Sequence, residues 1–193
     1  TRLKVQKYLV MPRLFALIFV GNRSVIRTLS ITKPNEMENK PTIFQFISEP
    51  SDVNYGGNVH GGVVMKWIDQ AGYACASAWS SSYCVTVYVG GIRFYKPIRI
   101  GDVVKVEAKV IYTGSTSMHI SIDVYARNVR ETEYEKKTHC IIVFVAVDED
   151  RKPLKIKKWI PNSEHEIKME EYAKRLMDIR NTIEDEMKPF LDE

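Results

Sequence analysis

The stretch from Asn58 to Ala78 (N-V-H-G-G-V-V-M-K-W-I-D-Q-A-G-Y-A-C-A-S-A) limits what this chain can fold into more than any other. From Val63 onward its apolar residues, among them Val64, Trp67, Ile68, Ala71, Ala74, Cys75 and Ala78, fall on every side of a helical wheel. A helix here is therefore expected to be wrapped by protein on nearly all faces. Only Lys66, Asp69 and Gln70 interrupt it with charge or amide. An ionised carboxylate in so apolar a setting costs several kcal/mol unless it is paired or hydrogen-bonded, which makes Asp69 the residue most in need of a role.

Gly56, Gly57, Gly61 and Gly62 crowd the loop before that helix. Such a loop can take φ > 0 and bring bare backbone against a ligand. The first N–H groups of a helix have no intrahelical partner and sit at the positive end of its dipole. They form a cradle for an anion or a polarised carbonyl oxygen, which Gly61 and Gly62 leave uncovered. Gly61 and Asp69 stand about 12 Å apart along a helix rising ~1.5 Å per residue. One carbonyl cannot be held by the first and attacked with help from the second. A shared role needs Asp69 from a second, antiparallel copy of the helix, which a two-fold dimer supplies twice.

The rest of the chain reads mostly as strands. Thr42 to Ser48 is a first strand, and Tyr83 to Tyr95 a long one, with Gly90 and Gly91 at a bulge. Asp102 to Tyr112 turns Val104, Val106, Ala108, Val110 and Tyr112 to one side. After a turn at Thr113 to Thr116, Met118, Ile120, Ile122, Val124 and Ala126 point inward on the return strand. Asn128 to Lys136 is a polar turn, and His139 to Val147 is apolar enough for a strand covered on both faces. Pro161, Ser163 and Glu166 open a capped helix whose apolar stripe is Ile167, Tyr172, Leu176, Ile179 and Ile183, out to about Met187. It is expected to lie on the sheet's outer face or on a neighbouring subunit. One buried helix followed by long antiparallel strands has a simple α+β solution, the hotdog fold: a curved antiparallel sheet wraps the central helix, with a C-terminal amphipathic helix added. Two such units pair edge to edge through the long strand.

With 193 residues, 45% apolar and 27% charged, the chain fits one globular domain with extensions. A net charge of +4 does not demand nucleic acid, and none is expected as a partner; it favours small anions carrying phosphates. Cys75, Cys84 and Cys140 lack CxxC spacing and read as buried, reduced thiols of a cytosolic-type compartment. No run of 18 uncharged apolar residues predicts a membrane span. Residues 1–36 are basic and acid-poor up to Glu36. They read as a mitochondrial-type presequence, a weak signal-like leader or sequence foreign to the native protein, poorly ordered or loosely helical. The expected organisation is leader 1–36, hotdog domain 37–160 and helical extension 161–193. The location is cytoplasmic, or mitochondrial if the leader is a presequence.

Four pieces in series then carry a resemblance: N-V-H-G-G followed by I-D-Q-A-G, R-F-Y-K-P-I-R-I-G-D-V-V, Y-T-G-S-T-S-M, and F-V-A-V-D. Together, over roughly Pro41 to Pro161, they resemble the hotdog acyl-CoA thioesterases, in particular the group of bacterial short- and medium-chain acyl-CoA hydrolases and the eukaryotic cytosolic acyl-CoA hydrolase. The resemblance implies hydrolysis of acyl-CoA to fatty acid and CoA, with no cofactor beyond the CoA of the substrate. It places Asn58 and Asp69 together across a dimer interface, with the oxyanion site at Gly61 and Gly62. It also implies a trimer of dimers with CoA along a subunit boundary.

In that frame Asp69 acts as general base, or as nucleophile through an anhydride, and Asn58 positions water or holds the carbonyl. His60 either shapes the turn or takes part in catalysis. Arg93, Lys96 and Arg99 are candidates for the CoA phosphates. Ser115, Thr116 and Ser117 are turn formers first and nucleotide contacts second. His119, His139 and His165 show no partner pattern and read as structural or solvated. No metal site is expected, and no GxSxG, GxxxxGK[ST] or GxGxxG motif occurs. The competing reading is a non-catalytic acyl-CoA-binding regulator on the same fold.

Overall fold

The computed structural model describes residues 40–191 and, before them, the strands Phe15–Val20 (β1) and Arg23–Thr28 (β2). These two pair antiparallel, from Phe15↔Thr28 to Val20↔Arg23, where poorly ordered or loosely helical chain was expected. The rest of the expected leader lies outside the described residues. Contacts divide the chain after Glu38.

The second unit contains β3 (Thr42–Ile47), a 3-10 turn (Pro50–Asp52), α1 (Gly61–Ser80), β4 (Tyr83–Phe94), β5 (Val103–Thr113), β6 (Ser117–Arg127), β7 (Glu135–Val147) and α2 (Glu164–Leu191). Its five strands form one antiparallel sheet in the order β3-β5-β6-β7-β4. β4 thus leaves α1 for the far edge, beside β7, and one side of this 12-residue strand is unpaired among the described residues.

Period-two alternation sends Val104, Val106, Ala108 and Val110 of β5, Met118 to Ala126 of β6 and Cys140, Ile142, Phe144 and Ala146 of β7 to the face that carries α1. From the helix come Val64, Trp67, Ile68, Ala71, Cys75 and Ala76. Gly72 explains how close the layers come: a Cβ there would lie 2.7 Å from the Phe144 ring and 3.0 Å from Ile122. The expectation of a helix wrapped on all sides needs correction. Lys66, Asp69, Gln70, Tyr73 and Ala78 are exposed, because one sheet covers only one flank of α1 and, among the described residues, nothing covers the other.

The outer face of the sheet carries α2. A register shift between Val110 and Tyr112 breaks the alternation of β5. Tyr112 therefore joins Ile111, Ile141, Met169, Tyr172, Ala173 and Leu176 in a second cluster instead of the α1 core. The cap of α2 forms much as its sequence predicts: Glu166 N–H donates to Ser163 Oγ at 3.2 Å, and Glu166 Oε2 accepts Asn162 N–H at 2.9 Å. The expected stripe is corrected. Met169, Tyr172, Ala173 and Leu176 face the sheet, whereas Ile167, Ile179 and Ile183 are 47%, 54% and 47% exposed.

His139 does have partners: its Nδ1 lies 2.7 Å from the Asp123 carboxylate and its Nε2 3.2 Å from the Tyr172 hydroxyl. His119 is buried, edge-on to Tyr112. β7 begins at Glu135, so the end of the expected polar turn is strand. All three cysteines are free and buried. Among the described residues no helix is long and apolar enough to cross a membrane.

Candidate active site

The loop into α1 is held from several sides. Asn54 Oδ1 accepts the N–H groups of Gly56 at 2.8 Å and Asn58 at 3.2 Å, which closes an Asx turn around Gly57 at φ +78°. Val59 N–H donates to Ile98 O and His60 N–H to Asp52 O, both at 2.8 Å. The loop is thereby tied to the β4–β5 connection and to the 3-10 turn. His60 is the N-cap of α1, its Nδ1 accepting Gly62 N–H at 2.9 Å. The expected cradle is therefore narrower than two amides. Gly62 spends its N–H on the cap, and Gly61 N–H has no acceptor among the described residues.

The two loop asparagines differ in the same way. Asn58 Nδ2 donates to Gly56 O at 3.3 Å, and Asn58 bridges to Arg99. Asn54 uses only its carbonyl oxygen, so its side-chain NH2 is unengaged among the described residues. A groove of about 310 Å³ opens beside Gly61, lined by Val59, Phe94, Lys96, Ile98 and Thr138 among others.

Two turns along α1, Asp69 is exposed beside the edge strand β4, while Trp67 and Ile68 are buried against the sheet. Its carboxylate accepts a hydrogen bond from Thr86 Oγ1 on β4 at 2.8 Å. Thr86 escaped the sequence reading because it lies in another element, with no local pattern to mark it. The only signal was a hydroxyl in the long strand before the glycine bulge. Directly after it, the register of β4 slips between Thr86 and Tyr88. Thr86 thus serves the α1 face, and Tyr88 lies under Arg180 of α2. Around Asp69 the free edge is apolar: Tyr83, Val87, Val89 and Phe94 are 60%, 48%, 38% and 52% exposed, and Tyr73 stacks edge-on against Tyr83.

The basic candidates lie at the Gly61 end. Arg93 is exposed over the Tyr95 ring. Lys96 pairs with Glu135, which Lys137 also binds, and the two ammonium groups pull the Glu135 carboxyl down to about 2. Lys96, Arg99, Arg127 and Lys137 line a polar cleft of about 280 Å³ with Glu131 and Glu135. Ser115, Thr116 and Ser117 do not join them within one protomer. Their turn accepts Ile156 N–H on Ser115 O, in a segment that Lys157 O ties to Trp79 Nε1 near the last turn of α1. A 20-residue helix puts that end about 30 Å from Gly61. Among the described residues no group of three or more His, Cys, Asp or Glu is placed to hold a metal.

The thioesterase superfamily model matches residues 56–133. The acyl-CoA thioester hydrolase YciA of Salmonella typhimurium is 33% identical over 123 residues, 61% of this chain and 92% of that protein. An acyl-CoA hydrolase structure from Bacillus cereus superposes with TM-score 0.72 at 26% identity, covering 77% of this chain and 91% of the other. A hexameric thioesterase of Yersinia pestis does so with TM-score 0.58 at 32% identity, covering 62% and 97%.

Proposed function

The chain belongs to the hotdog acyl-CoA thioester hydrolases of the thioesterase superfamily, and on that premise we propose that it hydrolyses acyl-CoA to a free carboxylic acid and CoA at sites shared between two copies. One observation carries this reading. The Asp69–Thr86 pair is exposed on the open flank of α1, beside the free edge of β4 and about 12 Å along the helix from the open amide of Gly61.

A long edge strand flanked by exposed Tyr83, Val87, Val89 and Phe94 is a surface that a second copy covers by pairing β4 with β4. The two-fold axis of that pairing runs the two α1 helices antiparallel, so that Asp69 of each faces the N-terminus of the other. Hexameric relatives support a trimer of such dimers as the full assembly.

In the shared site Gly61 N–H donates to the thioester oxygen as negative charge develops there. Asp69, oriented by the Thr86 hydroxyl, takes the proton of a water that attacks the carbonyl carbon. Alternatively its own oxygen attacks, giving an anhydride that water then opens. In either course the C–S bond breaks and CoA leaves as the thiolate. Asn58 shapes the loop through Gly56, and Asn54 offers the unengaged NH2 for the water or the carbonyl. Arg93 and Lys96, with Arg99, meet the phosphates of CoA. His60 acts by capping α1. The hydroxyls of Ser115, Thr116 and Ser117 reach CoA only from a second copy.

The test is release of free thiol from a series of acyl-CoAs. Asp69→Ala protein is inactive. Mixed with Asn54→Ala or Asn58→Ala protein, it regains about a quarter of the sites when chains reassort at random. No recovery after proven subunit exchange contradicts the shared site. Binding of acyl-CoA without thiol release by the parent assigns the chain to regulation instead.

A further inference from the structure

α2 is longer than the sheet it lies on. Its first turn is anchored on β5, where Lys109 Nζ lies 2.8 Å from Glu166. Tyr172 then reaches His139 on β7, Leu176 lies over Gly91 of β4, and Arg180 stacks on Tyr88 of β4 at 4.7 Å. From Glu166 to Leu176 the helix advances about 15 Å. Three strand spacings of ~4.8 Å separate β5 from β4, so α2 crosses the strands nearly at right angles and reaches the edge of the sheet by Arg180.

Residues 181–191 continue for about 16 Å beyond that edge, and every one of them is exposed. The polar bonds of this stretch are local: Arg180 with Glu184, Lys188 with Asp185, and Thr182 with Asp178 O. Its apolar residues are not scattered. Ile179, Ile183, Met187, Phe190 and Leu191 share one side of the helix at 54%, 47%, 46%, 84% and 66% exposure. The last four border a shallow groove of about 450 Å³.

We propose that the last three turns of α2 strap the seam between two copies, laying this stripe on the outer face of the second copy's sheet. The inference rests on the β4 pairing proposed above. The stripe leaves the protomer past the one edge at which that pairing places a second sheet, and on the side of that sheet's outer face. The occupant is therefore continuous with the seam. Five large apolar side chains along three turns are ordinarily covered by a partner and rarely left in water.

The test is the full chain carrying Ile183→Glu and Met187→Glu, studied by sedimentation and by hydrogen exchange. These side chains belong to neither apolar cluster of the described residues, so circular dichroism and the protomer's secondary structure stay as in the parent. The dimer dissociation constant rises by about tenfold or more, and amides 181–191, protected in the assembled parent, exchange freely in the variant. Unchanged association, or free exchange of 181–191 in the assembled parent, overturns the strap. So does a variant that stops at dimers as stable as the parent's while the parent forms larger assemblies, because the stripe then joins dimers instead of spanning the seam. The proposed activity fails separately. A parent that releases no thiol from acyl-CoA, with a variant that dissociates as expected, removes the hydrolase reading and leaves the strap standing.

Discussion

Replacing His119 with glutamine should flatten the acid side of the stability curve. The imidazole is 5% exposed on the outer face of β6, edge-on to Tyr112 at 5.2 Å, with the charge of Arg180 nearby. Burial first, and the guanidinium second, lower its pKa to about 4. In the unfolded chain it titrates near 6.5. Above that pH both states hold a neutral ring and nothing is lost. Below it the unfolded chain binds the proton first, so stability falls with pH until the folded pKa is reached. At 1.36 kcal/mol per pH unit, the parent loses about 2 kcal/mol between pH 6.5 and 5, and about 3 kcal/mol by pH 4. Asp123 and Glu166, whose pKa values burial raises but His139 and Lys136, and Lys109, lower overall, add losses only toward their unfolded values of 3.8 and 4.5. Neither carboxylate reaches the window from 6.5 to 5, in which the His119 imidazole acts. Urea unfolding at one fixed protein concentration, since assembly makes apparent stability concentration-dependent, measures it as a midpoint shift of about 1 M at a slope of ~2 kcal/mol/M. His119→Gln should lose the shift. A variant with the parent's slope between pH 6.5 and 5 refutes the reasoning.

Gly61→Pro removes the open amide while leaving α1 intact, because proline suits the first helical position and His60 before it is extended at φ −65°, ψ 134°. Thiol release should fall about 10²–10³-fold in kcat with an unchanged helix content. Thr86→Val keeps the shape of the strand and deletes the hydrogen bond to Asp69, worth about 1.5–3 kcal/mol for a charged acceptor, so kcat should drop roughly 10- to 100-fold with little change in KM. Gly72→Ala forces a methyl to within 2.7 Å of the Phe144 ring, and denaturant titration should show a loss of about 1–3 kcal/mol.

Much of the fold was legible because it is local. The alternation of Val104 to Val110 and Met118 to Ala126, the helix beginning at Gly61 and the Ser163–Glu166 cap each declare themselves within a few residues. The glycine loop marked one half of the candidate site, and the polar breaks in an apolar helix marked the other. What depends on neighbours far along the chain was not legible. Composition made α1 look buried all round, yet only its layer against the sheet decides that Trp67 and Ile68 are inside and Asp69 outside. The bulge that turns Tyr112 onto the outer face, the Asp123–His139–Tyr172 chain and the Thr86 hydroxyl on Asp69 all join residues from separate elements. The split of α2 between a sheet-facing and a free half has the same origin. Sequence by itself determined most elements of the second unit, the inward alternation of β5 and β6 and the chemistry available at the helix start. Only the tertiary structure decided which surfaces meet, because burial and hydrogen-bond partners belong to pairs of elements, and a one-dimensional pattern carries only the preferences of each.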